Sequence, residues 1–250
     1  MARPKSGYRL SNGERIPGVT TIIGRFKESG GLLWWANRLA YEPLGQAYSL
    51  LEGVAEGNPN QDAISKFLAV PVANYDHTAV RDAAADAGTL AHQMVEFHLE
   101  GLIAESVLEG QPKDVSENAQ NAFRAFLEWS DQTNLEVEHQ ELSLVSETHR
   151  FGGTLDACVL RVNGKRAIGD WKTSNGLYPD YLIQVAAYGK LYEECYPNDP
   201  VEGGYHILRF SKSTGDFHHH FFADLNEGWK AFLLMRQLYD IDKILKQRAK

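Results

Sequence analysis

Two acids and an amine, Asp156, Asp170 and Lys172, stand close together in a stretch that reads as paired β-strands. The text runs FGGTLDACVLRV, then an Asn163-Gly164 turn signal, then RAIGDWKTS, and both runs are rich in residues that favour strands. Residues two apart on a strand share a face, so Asp170 and Lys172 point together while Trp171 points the other way. Carboxylates hold a hard divalent ion, the ion lowers the pKa of a bound water, and a nearby ammonium orients that water or neutralises developing charge. These residue types suit hydrolysis of a phosphodiester. An exposed Lys–Asp salt bridge is the plainer reading, and such pairs contribute only about 0–1 kcal/mol.

Helical segments flank these strands. Upstream, Gly88-Thr89-Leu90-Ala91-His92-Gln93-Met94-Val95-Glu96 lies in an alanine-rich stretch from about Ala79 to Glu100, closed by Gly101. His92 and Glu96 are four apart and share a face, as do Gly88 and His92. Downstream, Gln184 and Tyr188 make the same kind of pair in a helical run from Asp180 to Glu194. Taken singly, His92 fits a half-buried helix histidine, and Gln184 with Tyr188 fits an ordinary hydrogen-bonded helix pair.

Taken in order, the four motifs resemble the PD-(D/E)XK nuclease superfamily, in its RecB-like and phage-type exonuclease branch. Asp156 matches the lone aspartate, Asp170-Trp171-Lys172 the (D/E)-X-K, the segment from Gly88 to Glu96 the G-T-x-x-H-x-x-x-E pattern, and Gln184 with Tyr188 the Q-x-x-x-Y motif. Arg15 to Ile23, followed by Leu33-Trp34-Trp35-Ala36, is similar to the opening of phage-type members. The resemblance implies an α/β fold with a mixed central β-sheet flanked by helices, a restriction-endonuclease-like core carrying a helical N-terminal elaboration. It implies one domain over 1–250, with the elaboration at 1–78, the catalytic core at 79–200 and a C-terminal hairpin and helix at 201–250.

The resemblance also implies an activity: a Mg²⁺- or Mn²⁺-dependent DNA nuclease binding one or two ions. Exonuclease action on single-stranded or duplex ends is the first expectation. A structure-dependent endonuclease and a catalytically idle DNA-binding subunit are the alternatives. His92, Asp156, Asp170 and the carbonyl of Trp171 are the implied metal ligands, Lys172 orients the attacking water, and Gln184 and Tyr188 contact substrate. Glu96 and Glu141 are further acidic candidates, Glu141 on a strand expected over Leu135 to Val145. An imidazole ligand tilts preference towards Mn²⁺. Recombination or replication proteins are the implied protein partners.

The hairpin imposes a geometric condition. A strict two-residue turn at Asn163-Gly164 pairs Val162 with Lys165, and continuing that register sets Asp156 opposite Trp171, so the two aspartates face opposite sides of the sheet. A shared metal then requires a one-residue offset, from a three-residue Asn163-Gly164-Lys165 loop or a bulge at Gly169.

A chain of 250 residues with 43% hydrophobic content can bury a sizeable core. No stretch approaches the roughly 18–20 apolar residues of a membrane span, and MARPKSGYRL lacks an apolar core segment, so a cytoplasmic location in a bacterial or phage-infected cell is expected. Two cysteines, Cys158 and Cys195, form no CxxC and no four-ligand set, which indicates neither a structural zinc nor an iron–sulfur cluster. The net charge of −8 runs against a nucleic-acid partner, but residues 1–27 carry six basic residues against Glu14 alone, a balance of +5 that leaves −13 elsewhere. A basic arm of that kind is either a DNA entrance or a solvated segment.

The remaining expectations concern elements. A hairpin spans Tyr8 to Ile16 with its turn at Asn12-Gly13, helical segments run from Trp34 to Glu52, and a loop at Gly57 to Asn60 precedes a further short helix. A helix runs from an N-cap at Ser116 through Trp129. Strands Tyr205 to Phe210 and Phe217 to Phe222 turn at Thr214-Gly215-Asp216, and a last helix opens at Asp224 with Glu227 in a capping box. Trp34 and Trp35 are candidates to stack on bases. His218 and His220 share a strand face without an acidic partner, and read as a solvent-facing patch.

Overall fold

The computed structural model describes residues 4, 7–26, 86–155, 159–211, 214 and 216–249. Packing divides the chain into two compact units, 1–27 with 85–250 and 28–84, and the elements described belong to the first. The expected helices between Trp34 and Glu52, the loop and short helix after them, and Trp34 and Trp35 lie outside the described residues.

The centre is a mixed five-stranded sheet in the order β3-β6-β7-β8-β9, from β3 (Glu136–His139), β6 (Val159–Val162), β7 (Lys165–Thr173), β8 (Tyr205–Phe210) and β9 (Phe217–Phe222). Only β7 and β8 run parallel. That pair needs a crossover, supplied by helix α4 (Pro179–Cys195). Helices cover both faces, as the α/β expectation requires. On one face Leu160, Val162, Ala167, Trp171, Leu208 and Phe210 pack against α2 (Asp86–Leu99) and α3 (Lys113–Gln132). On the other, Val159, Ile168, Tyr205 and Ile207 pack against α4, α1 (Val19–Phe26) and Phe232 of α5 (Asn226–Arg248). The alternation Ile168, Asp170, Lys172 against Ala167, Gly169, Trp171 is what places the acid and amine of β7 under α4.

Two small antiparallel sheets complete the unit: β1 (Tyr8–Arg9) with β2 (Arg15–Ile16), and β4 (Leu142–Ser146) with β5 (Phe151–Leu155). The first is the expected N-terminal hairpin, with Tyr8 opposite Ile16. The second corrects two expectations. Leu135 to Val145 is not one strand, because the chain breaks after His139 and Glu141 takes a left-handed φ of 49°, so β3 joins the central sheet and β4 does not. Likewise Phe151 to Val162 is not one strand: β5 ends at Leu155 in the small sheet and β6 begins at Val159 in the central one.

The hairpin itself has a strict two-residue turn. Asn163 and Gly164 adopt φ of 51° and 77°, the left-handed pair that matches the twist of the flanking strands. Pairing is regular from Val162↔Lys165 to Val159↔Ile168. The three-residue loop does not occur, and on its other side β7 pairs regularly with β8 through Gly169. β5 and β6 lie in different sheets, so alternation counted along a single strand does not reach Asp156. The side chain of Asp156 lies outside the described residues.

Helix starts were read less well. α3 begins at Lys113, and Ser116 sits in its first turn with the hydroxyl donating to Pro112 O at 2.9 Å instead of capping an N–H. In α5 the N-cap is Leu225, while Asp224 accepts from the Asn226 amide at 3.3 Å, so no capping box forms.

Candidate active site

Asp170 is fully buried, on the α4 face near the C-terminal end of β7. The Lys172 ammonium lies 2.5 Å from Asp170 Oδ2, an ion-pair contact without the alignment of a hydrogen bond. The shared face read from the i, i+2 spacing is therefore observed, and Trp171 points the opposite way, edge-on to Phe126 at 5.4 Å between ring centres. Burial pushes the Asp170 carboxyl above the usual carboxylate range, and the Lys172 charge only partly opposes this.

α2 crosses the same end of the sheet from the other side. Its Gly88 packs so closely that an added Cβ would lie 2.5 Å from Thr173 Cγ2 and 3.1 Å from Ser211 O. The Thr173 hydroxyl donates to Gly88 O at 3.3 Å, tying the helix to the last residue of β7. One turn on, His92 is held near neutral form: burial first, and the charge of Lys172 second, bring its pKa down to about 4. Its Nε2 is 3.3 Å from Glu96 Oε1. Among the described residues, His92 Nε2 and both Asp170 oxygens are buried without a hydrogen-bond partner.

A neutral imidazole nitrogen and a buried carboxylate are groups that bind a divalent cation, so the residues present fit such an ion. The described residues alone make no cluster of three ligand side chains. Trp171 could contribute only its carbonyl, since its indole belongs to the α2–α3 core. Glu141 is exposed at the β3–β4 break, one residue before β4 and in neither strand.

α4 closes the site over β7. Its Tyr181 ring lies beneath Lys172, with Nζ 5.3 Å from the ring centre. Gln184 and Tyr188 follow at three and seven residues, on the same helix face, and Gln184 Nε2 donates to Tyr188 Oη at 2.9 Å. Tyr188 is 3% exposed, part of the core between α4 and the β4–β5 sheet. Tyr181 was missed from the sequence, although extending the Gln184–Tyr188 stripe back by three residues reaches it. Thr173 was missed as well, because its contact with Gly88 spans 85 residues.

On the α2–α3 face, His206 Nδ1 and His219 Nε2 are 2.8 Å apart, with the two rings stacked and Trp129 against His219. Burial, then the neighbouring imidazoles His206 and His220, bring the pKa of His219 to about 4. His218 and His220 project from the opposite face; His218 is exposed and His220 only partly so. The expected patch is thus two imidazoles, and the middle one is structural.

No family model and no curated protein matches the chain. Among solved structures it is similar to a "Putative exonuclease" from Eubacterium rectale, at 15% identity and a TM-score of 0.43, over 64% of this chain and 66% of that one. It is also similar to a protein named SSO0001, at 12% identity and a TM-score of 0.31, over 62% of this chain and 70% of that one. Neither likeness reaches a level from which an activity transfers. Among the described residues no helix is long and apolar enough to cross a membrane.

Proposed function

We propose that this chain is a metal-dependent deoxyribonuclease that hydrolyses DNA phosphodiesters, acting first as an exonuclease on DNA ends. The observation that carries the reading is the fully buried carboxylate of Asp170, ion-paired at 2.5 Å with the Lys172 ammonium and joined from across the sheet end by a neutral His92. A structural salt bridge has no need of a buried neutral imidazole beside it, and the burial of both oxygens is a cost that a stability role does not explain.

His92 and Asp170 would hold Mg²⁺ or Mn²⁺, with Asp156 and the Trp171 carbonyl as the proposed remaining protein ligands. When bound, the cation supplies acidification of a water and stabilisation of charge on the phosphate. Lys172 donates a hydrogen bond that orients the attacking water and keeps its lone pair directed at phosphorus. Tyr181 holds the Lys172 ammonium in place over its ring face. Gln184 keeps its amide oxygen available to a sugar or base, because its Nε2 is committed to Tyr188.

The test incubates the protein with end-labelled linear DNA and closed circular DNA, each with Mn²⁺, Mg²⁺ or chelator. Degradation of linear DNA alone, abolished by chelator, is the expected result. Nicked circles would replace exonuclease by endonuclease action. Intact DNA in every lane, with tight binding, would leave an idle DNA-binding subunit in place of an enzyme.

A further inference from the structure

Arg209 is a buried cation without an acidic partner among the described residues. Its side chain belongs to β8 and is 7% exposed, and among the described residues Nη1 donates to Ser174 O at 2.7 Å. Nε is buried without a partner, and no carboxylate among the described residues lies within ion-pair distance. Arginine is almost never this buried unless paired, because an uncompensated charge costs several kcal/mol in a protein interior.

The register says what stands beside it. Lys172 pairs with Arg209 across β7–β8, and Arg209 pairs with His218 across β8–β9, so the three side chains lie in one row on the α4 face. Asp170, Ile207 and His220 form the neighbouring row. His220 Nε2 is also buried without a hydrogen-bond partner, and the His218 and His220 rings are stacked at 6.4 Å between centres. Strands are about 4.8 Å apart, so Arg209 sits one strand from the amine that would serve the chemistry. His218, exposed on the edge strand β9, marks the open side of the row.

We propose that Arg209, with His218 and His220, forms a phosphate subsite beside Lys172 that holds a backbone phosphate of the nucleic-acid substrate. The proposal rests on the nuclease reading. A phosphate monoanion supplies a countercharge that the described residues do not and accepts from the planar donor edge of the guanidinium, in a setting dry enough for charge-assisted hydrogen bonds to be strong. Lysine at this position would supply charge without the fork, which is why the residue type matters.

The experiment uses the full-length protein with chelator present. The ¹⁵N–¹H signal of the Arg209 Nε–H group, identified by its loss in Arg209→Lys, is followed while inorganic phosphate is added. A saturating shift is expected. DNA affinity is then measured against salt for the wild type and for Arg209→Met, where loss of one phosphate contact lowers the slope of log K on log salt by about 0.9 for duplex or about 0.7 for single strands. An unmoved signal, or an unchanged slope in folded Arg209→Met, would overturn the subsite and leave Arg209 as a brace for the chain at Ser174. If Arg209→Met does not fold, the wild-type titration decides alone. The two readings fail separately: a protein that cuts DNA with no Arg209 response loses only the subsite, and one that shifts with phosphate yet never cuts with any metal loses only the nuclease.

Discussion

Gly88 is where the architecture and the proposed chemistry meet most tightly, so Gly88→Ala is the sharpest perturbation. The new methyl would lie 2.5 Å from Thr173 Cγ2 and 3.1 Å from Ser211 O, too close for either to remain in place. Overpacking of this kind costs about 1–3 kcal/mol. Replacing glycine inside a helix by alanine returns about 1 kcal/mol of helix propensity, so the net loss of stability should be about 0–2 kcal/mol. Cleavage should suffer far more. The shift moves α2 off the end of β7 and carries His92 with it, and misplacement by about 1 Å can cost about 10²-fold in rate. Urea unfolding would give the first quantity, and single-turnover cleavage with Mn²⁺ the second. Thr173→Ser removes the clashing methyl and keeps the hydroxyl that bonds Gly88 O, so the double variant should recover most of the lost rate. Full activity in Gly88→Ala, or no recovery in the double variant, would refute the idea that this contact positions His92.

Lys172→Ala should lower the cleavage rate by about 10²- to 10⁴-fold while DNA binding under chelator is retained; undiminished turnover would remove Lys172 from the mechanism. Saturating Mn²⁺, at about 100 times its Kd, should stabilise the wild type by about 2.7 kcal/mol in thermal unfolding, and His92→Ala or Asp170→Asn should lose that gain. Tyr181→Phe should leave cleavage near the wild-type rate, whereas Tyr181→Ala frees the Lys172 ammonium and slows it; equal rates for the two would show the ring is idle. Acid stability tests a different group. Hydrogen bonds from Arg166 and Arg161, opposed by some desolvation, hold Glu138 below the usual glutamate range. A depressed folded pKa means its stabilisation is complete above the unfolded value near 4.5 and is lost as pH falls through the folded value. The Tm gap between wild type and Glu138→Gln should therefore be constant from pH 7 to about pH 5 and shrink below it; a gap independent of pH would exclude this ion pair as its source.

Much of the positioning was legible in local spacing. An i, i+2 pair on a strand and an i, i+4 pair on a helix share a face whatever surrounds them, so Asp170 with Lys172, His92 with Glu96 and Gln184 with Tyr188 could be read directly, as could the hairpins whose turns carry Asn-Gly or Thr-Gly-Asp. The failures share one cause. Glu141 was placed on one long strand, and Phe151 to Val162 reads as another, but β-leaning text does not say where a strand changes sheets. The left-handed turn at Glu141 and the assignment of β5 and β6 to different sheets are set by which partner strands are available, and those partners come from the folded whole.

By itself the amino-acid order determined the periodic elements and the chemical character of each face, because backbone geometry repeats every 3.6 or every 2 residues. Only the tertiary structure decided what meets across those faces. Packing of α2 over the sheet end brings His92 to Lys172, the parallel β7–β8 register lays Arg209 beside it, and closure by α4 buries Asp170, since contacts between distant segments are selected by the burial of the entire core and leave no trace in local periodicity.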